Sequence, residues 1–331
     1  MNSFGRLFRV SIFGESHGPG TGIVIDGCPP GIPLDVTDFA DDLSRRKSGA
    51  YGTTARHEPD LPEVLSGLYN GFTTGSPIML ITRNSDKRPA DYDDFRYIPR
   101  PGHADFTAGF KYSGFSDLRG GGHFSGRITW GIVVAGVVAR KIIEPAVVEA
   151  KIISAGGSLN IEEAIRKAVE GNDTVGGVIE CTIANPQKGL GEPFFYSVES
   201  AVSQIVMSIP AIRGIEFGSG FAAAGMKGSE HNDPFIDKDG KTLSNNAGGV
   251  NGGISNGNEI VFRVAVKPAS STGVEQTTFD FREEKMVSLK IRGRHDACIA
   301  LRVPVILEAA AAVAMADLLL INRGIHGSQI S

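Results

Sequence analysis

From Pro304 to Arg323 the chain is built almost wholly of Ala, Val, Leu, Ile and Met, and Glu308 and Asp317 are the only charges before its last residue. A helix that is apolar all round must be wrapped by other elements, so this stretch belongs at the centre of whatever fold forms. Pro304 in the first turn and Gly324 just past the end mark its limits. A second apolar run, Thr129 to Ile143, ends in Arg140 and Lys141 before Pro145 and reads as another buried helix. A third helix, Ile161 to Val169, opens with Asn160 as N-cap and Glu163 three residues on, and its charged face assigns it to the surface.

Between these helices lie strand-like segments bounded by Gly and Pro: Phe8 to Phe13, Gly22 to Asp26, Ile78 to Thr82, Val178 to Ala184, Gly214 to Phe217 and Glu259 to Pro268. Ile179, Cys181 and Ile183 alternate as in a half-buried strand, and no regular crossover helices separate the strands. The expected class is α+β, with antiparallel sheets packed on buried central helices. No stretch has the composition of a linker and no repeat is visible, so residues 1–331 are read as a single domain.

The formal charge of -4 gives no reason to expect nucleic-acid binding, and any anionic ligand has to be met by local clusters. Cys28, Cys181 and Cys298 are far apart and lack metal-ligand spacing, which fits free thiols in a reducing compartment and no metal centre. The first residues lack the basic and apolar regions of a signal peptide, and no charge-free apolar run reaches the roughly 18 residues of a membrane span. A cytoplasmic location without membrane attachment is expected.

Glycine is over-represented, 43 of 331 residues against a usual share of about 7%. Its company is informative. His17, His103, His123 and His326 each adjoin a glycine, the first three within Gly14-Glu15-Ser16-His17-Gly18, Arg100-Pro101-Gly102-His103-Ala104-Asp105 and Gly120-Gly121-Gly122-His123-Phe124-Ser125-Gly126-Arg127. Each places a ring that titrates near neutrality beside pliable backbone, although a capping role in a turn explains any one of them as well. Arg45, Arg46, Arg56, Arg100, Arg119, Arg127, Arg292 and Arg294 occur in similar settings. Together these forks suggest a pocket for a small multiply charged anion. The glycine-rich run Asn245 to Gly257, followed by Lys267, Ser270 and Ser271, offers backbone and side-chain donors to a phosphate-bearing cofactor, or is a plain loop.

Two motif matches fail. Gly218-Ser219-Gly220-Phe221-Ala222-Ala223 fits a loose dinucleotide fingerprint, but Gly225, Gly228 and Pro234 leave no room for the crossover helix. Gly240-Lys241-Thr242 lacks the first glycine of a phosphate loop, where Phe235 stands, and Asp237-Lys238-Asp239-Gly240 reads as a turn.

Taken in order, the blocks resemble those of the chorismate synthase family. The resemblance begins at Phe8-Arg9 and Gly14 to Gly18, continues through Gly27-Cys28-Pro29-Pro30-Gly31, Arg45-Arg46, Glu58-Pro59-Asp60, Arg100 to Asp105 and Gly120 to Gly122, and reaches Gly189-Leu190-Gly191-Glu192-Pro193, Ser208-Ile209-Pro210-Ala211, Lys267 to Ser271 and Gly293 to Cys298. It implies one α+β domain, assembled as a homotetramer, that removes phosphate and a ring proton from 5-enolpyruvylshikimate-3-phosphate by anti 1,4-elimination. The product is chorismate, and reduced FMN is needed without net redox change. By the same resemblance His17 protonates the leaving phosphate, His103 protonates or holds the reduced flavin, and Asp296 with the flavin removes the ring proton.

FMN contacts are expected at His123, Phe124, Ser125, Pro210, Ala211, Gly252, Lys267, Pro268, Ala269, Ser270, Ser271 and Arg294, and substrate contacts at Ser16, Arg45, Arg46, Arg100 and Arg127. NADPH is implied only where such a protein reduces its own flavin; Arg46 matches one arginine tied to it, and the other falls in a gap near Ala50-Tyr51-Gly52. The chain departs from the family at His123 in place of Arg, at Phe124 in place of a small residue and at Ile128 in place of Glu. A flavin-dependent oxidoreductase and an inactive anion- or flavin-binding relative are the alternative readings. The first would consume NAD(P)H in step with product; the second would bind but release no phosphate.

Overall fold

In the computed structural model, residues 2–54, 58–86, 94–291 and 296–325 are described. Their helices are α1 (Ala40–Arg46), α2 (Asp105–Lys111), α3 (Thr129–Ile143), α4 (Ile161–Glu170), α5 (Val198–Val206), α6 (Gly228–His231) and α7 (Val303–Ile325). The long apolar run is α7, and it lies at the centre as expected: Ala309 to Val313 are fully buried. α3 packs along it, and at their crossing a Cβ on Gly136 would overlap Ala309, so glycine is what lets the two backbones approach. α7 is also long and apolar enough to cross a membrane, but most of it is buried within the fold.

A five-stranded antiparallel sheet covers one side of this helical layer. Its order is Ser3–Phe4, Arg9–Gly14, Gly20–Asp26, Ile78–Arg83, Glu63–Ser66, with α3 against Gly20–Asp26. A four-stranded antiparallel sheet, ordered Ile212–Phe217, Ile260–Val266, Gly177–Ala184, Val147–Ala155, packs on α7. Ile179, Cys181 and Ile183 point inward with no exposure, as their alternation predicts. Each fully buried isoleucine contributes about 1.5–3 kcal/mol, so a charge at Ile179 would break this face.

The sequence reading omits the edge strand Val147–Ala155 and helices α1, α2, α5 and α6. α5 carries a local signal in its N-cap, Ser197, whose Oγ accepts from Ser200 N at 3.1 Å. The rejection of the nucleotide motifs holds: a 3-10 turn, Gly220–Gly225, follows the strand Ile212–Phe217, and Gly240 N donates to Asp237 O to close a turn.

The two carboxylates inside α7 are structural. Asp317 is fully buried; it accepts from the backbone N–H groups of Arg6, Leu7 and Phe8 at 2.7–3.0 Å and from the Tyr196 hydroxyl. Burial and the Asp317 charge push the Tyr196 hydroxyl above its usual range, so it stays a donor. Glu308 is held by Arg45 through two bonds of 2.6 and 2.7 Å and by Ala150 N at 3.0 Å.

Candidate active site

A cavity of about 1260 Å³ opens between the helical layer and the loops that connect the sheets. Pockets for drug-sized ligands commonly enclose about 300–1,000 Å³, so this one has room for two guests side by side. Its wall draws on distant stretches: His17, Arg46, Asp60, Arg100, Gly102 to Ala104, Gly120, His123 to Thr129, Pro210 to Arg213, Lys267 to Ser271 and Asp296.

One wall is cationic. Arg46, at the end of α1, and Arg127, in the turn leading into α3, grip the two oxygens of the Asp60 carboxylate, and all three are nearly fully buried. Trp130 Nε1 donates to the Asp60 carbonyl at 3.2 Å and fixes that residue in the left-handed region, φ 58°. Two guanidinium charges face one carboxylate. Burial pulls Arg46 down to about 10, opposed by Asp60 and reinforced by Arg302 and Arg127, and it remains charged at neutral pH. Burial resists ionisation of Asp60, but the two arginines outweigh it and hold the carboxyl below its usual range. Arg46 Nε and Nη1 and Arg127 Nη2 are buried without a hydrogen-bond partner among the described residues. Unmet buried donors are costly, and an anion in the cavity would satisfy them.

The triple-glycine turn explains itself. Gly120, Gly121 and Gly122 all have positive φ, at 60°, 79° and 53°. A Cβ on Gly120 would overlap the His17 ring, one on Gly122 would overlap the Asp117 carbonyl, and one on Gly121 would sit 3.5 Å from the His103 ring. Bare backbone thus passes between two imidazoles. Ser16 N donates to Gly122 O at 3.0 Å and joins this turn to the one that carries His17.

His103 is oriented from behind. Its Nδ1 lies 2.6 Å from Asp105 Oδ1, at the start of α2, and 3.0 Å from Arg100 Nη2. The Asp105 carboxylate can only accept, so the short contact makes Nδ1 its donor; Arg100 Nη2, also a donor, bonds the same Asp105 oxygen rather than the ring, and Nε2 is left for the cavity. Arg100 also binds Asp105 through Nε and Nη2, both at 2.8 Å, and reaches Ser271 Oγ at 3.1 Å. Burial works against the Asp105 charge, yet the bonds from Arg100 and His103 prevail and hold it well below the usual carboxylate range.

Lys267 Nζ donates to Gly102 O and Ser270 Oγ, both at 2.7 Å, clasping the Lys267 to Ser271 loop to the His103 loop. Burial and Arg213 lower the Lys267 amine. On the opposite side Asp296 Oδ1 accepts from Thr54 N at 3.0 Å, and its Oδ2 lies 3.5 Å from Arg302 Nη1. His123 Nδ1 faces the Gly14 carbonyl at 2.8 Å and Nε2 faces Asn2 Oδ1 at 3.2 Å. Both are acceptors, so the pair is satisfied by an imidazolium or by turning the Asn2 amide over.

The cavity brings together His17, His103, Asp296, His123, Phe124, Ser125, Pro210, Ala211, Lys267 to Ser271, Arg46, Arg100 and Arg127. Ser16 is fully buried behind His17. Arg45 is a correction: it points away from the cavity to Glu308 and Asp42, because a buried carboxylate in α7 needs a partner. Gly252 is another. It forms, with Gly253, the turn between Val250–Asn251 and Ile254–Ser255, off the cavity wall.

The glycine run around it is not a set of open donors either. Gly248 N and Gly249 N bond Asn245, and Asn246 N and Ala247 N bond Asp233. Arg119 turns outward to Asp117. Arg56, Arg292, Arg294 and His326 lie outside the described residues. Asp60, Asp105, Asn84, Arg213 and Arg302 carry no role in the sequence reading, since their partners are set by tertiary approach; Asp105, two positions past His103, is the one with a local signal.

The chain is similar to known proteins along nearly its whole length. The model of the chorismate synthase family matches residues 8–320. A curated chorismate synthase of Chitinophaga pinensis is 56% identical over 324 residues, covering 98% of both chains. One from Dehalococcoides mccartyi is 43% identical over 351 residues, covering 96% of each. A crystal structure of a chorismate synthase superimposes with a TM-score of 0.75 at 28% identity, over 97% of this chain and 94% of that one.

Proposed function

The chain belongs to the chorismate synthase family, and from that premise we propose how its cavity performs the family's carbon–oxygen lyase reaction, the elimination of phosphate from 5-enolpyruvylshikimate-3-phosphate. The substrate carries two carboxylates and a phosphate. Arg46, Arg127 and Arg100 supply the charge that receives them, each charge-assisted bond contributing roughly 1.5–3 kcal/mol. As the C–O bond breaks, charge develops on the departing phosphate, and donors that bind this dianion more tightly than the ester accelerate the step. The three unmet guanidinium nitrogens of Arg46 and Arg127 fit that role.

His17 gives its proton to the phosphate as it leaves. Asp296 takes part in removing the ring proton through Oδ2, the oxygen less committed to the backbone. The lost proton and phosphate balance the new double bond.

The residues present fit FMN. The cavity has volume for it beside the substrate, Lys267, Ser270 and Ser271 offer polar contacts, and Phe124, Pro210 and Ala211 offer apolar wall. Reduced FMN, when bound, supplies electron density for C–O cleavage that is returned afterwards. His103, through Nε2, would hold it. The buried, free thiols Cys28, Cys181 and Cys298 support a reducing, cytoplasmic setting. Phe194, Phe195 and Phe221, more than four-fifths exposed, support assembly into a homotetramer that covers them.

The observation that carries this reading is the convergence of His17, His103 and Asp296 on one cavity with unpaired buried guanidinium donors. The test is anaerobic phosphate release from 5-enolpyruvylshikimate-3-phosphate with FMN reduced by dithionite. Many turnovers per flavin are expected. No release, or NAD(P)H consumption in step with product, would overturn it.

A further inference from the structure

Asn84 follows the strand Ile78–Arg83, and its N–H continues the ladder by donating to Pro19 O at 3.1 Å. Its buried side chain is used at both ends. Nδ2 donates to Glu15 O at 2.9 Å and Gly18 O at 3.0 Å, the two carbonyls that bracket His17. Oδ1 accepts from Arg127 Nε at 2.9 Å. The orientation of the amide is unambiguous. Turned over, it would set its oxygen against two carbonyls and its nitrogen against a guanidinium donor.

We propose that Asn84 is a positioning residue that ties the His17 turn to the Arg127 fork, holding the proton donor and the phosphate-binding charge at one spacing. Arg127 is fixed at its other end by Asp60, so Asn84 completes a rigid path from that carboxylate to the imidazole without itself lining the cavity. Misplacement by about 1 Å can cost up to roughly 100-fold in rate, and the path removes that freedom. The inference rests on the lyase reading and adds to it.

The test compares Asn84→Ala in three backgrounds: wild type, His17→Ala and Arg127→Ala. Turnover and KM are measured with reduced FMN, substrate affinity by calorimetry, and folding by thermal melting. In wild type, kcat falls about 10- to 100-fold and substrate affinity weakens. The kcat loss shrinks to less than threefold in His17→Ala, while the affinity loss shrinks in Arg127→Ala. If Asn84→Ala does not fold, the isosteric Asn84→Asp takes its place; it keeps an acceptor for Arg127 but repels the two carbonyls, so a kcat loss that depends on His17 is expected. Equal losses in every background, or wild-type kinetics in the folded variant, overturn the proposal. An inactive wild type would instead overturn the lyase reading.

Discussion

His103 Nδ1 and Arg100 Nη2 converge on the same oxygen of Asp105, at 2.6 and 2.8 Å. Asp105 therefore stabilises a cation and orients an imidazole at once. Asp105→Asn retains the shape but not the charge. Turnover is expected to drop by roughly 10²-fold, the scale of a proton-transfer group held wrongly, and stability by about 3 kcal/mol or more, because Arg100 loses its buried partner. Steady-state phosphate release and urea unfolding measure the two effects. Wild-type turnover in a folded variant would remove Asp105 from the mechanism.

The same carboxylate shapes behaviour in acid. Asp105 and Asp60 are both held below the ordinary value of 3.8 in the folded protein. A depressed folded pKa gives stability that is fully present above the unfolded value and is lost as pH falls through the folded one. Melting temperature should therefore decline below about pH 4, and Asp105→Asn should decline less over that window than wild type. Parallel curves for the two proteins would contradict the assignment.

Gly120→Ala places a methyl group on the His17 ring at a backbone conformation that L residues avoid. It should reproduce the loss caused by His17→Ala, roughly 10²-fold in turnover, with FMN binding largely kept in both. Flavin fluorescence titration alongside the phosphate assay checks this pair. Unchanged turnover in His17→Ala would remove that residue from the reaction.

Arg45 and Arg127 are both expected at the substrate, but of the two only Arg127 lines the cavity, while Arg45 pairs with Glu308. Arg45→Ala leaves Glu308 short of a partner and should cost about 1–3 kcal/mol in unfolding free energy, with KM near wild type. Arg127→Ala should raise KM for the phosphate substrate at least tenfold, one charge-assisted bond being worth that much. A raised KM for Arg45→Ala would return it to the site.

What could be read in the sequence was whatever depends on neighbours in the chain. α3 is bounded as its apolar run and flanking Pro145 indicate, and α7 extends only a little past the expected Pro304 to Arg323. The strand Val147–Ala155 escaped because the apolar doublets Val147-Val148 and Ile152-Ile153 blur its alternation, the second at a register shift, and it is completed by pairing with Gly177–Ala184. α1 escaped for a related reason. Two of its three buried members, Asp42 and Arg46 beside Leu43, are charged, and their burial makes sense only beside Arg140 and Asp60. Adjacent motifs brought the histidines to notice, but Asp60 and Asn84 are joined to the cavity arginines across 14 to 67 residues of chain. Resemblance could nominate Arg45 and Gly252; only the packing of α7 and the glycine hairpin could show where each points.

The grip of Asp317 on the amides of residues 6–8 spans 311 positions. The segment it captures leads back to Asn2, whose carbonyl accepts from Ile12 and whose side chain meets His123 at the cavity wall. A nascent polypeptide emerging from the ribosome consequently has no closed reaction chamber until residue 317 has appeared. Catalytic competence comes late in synthesis.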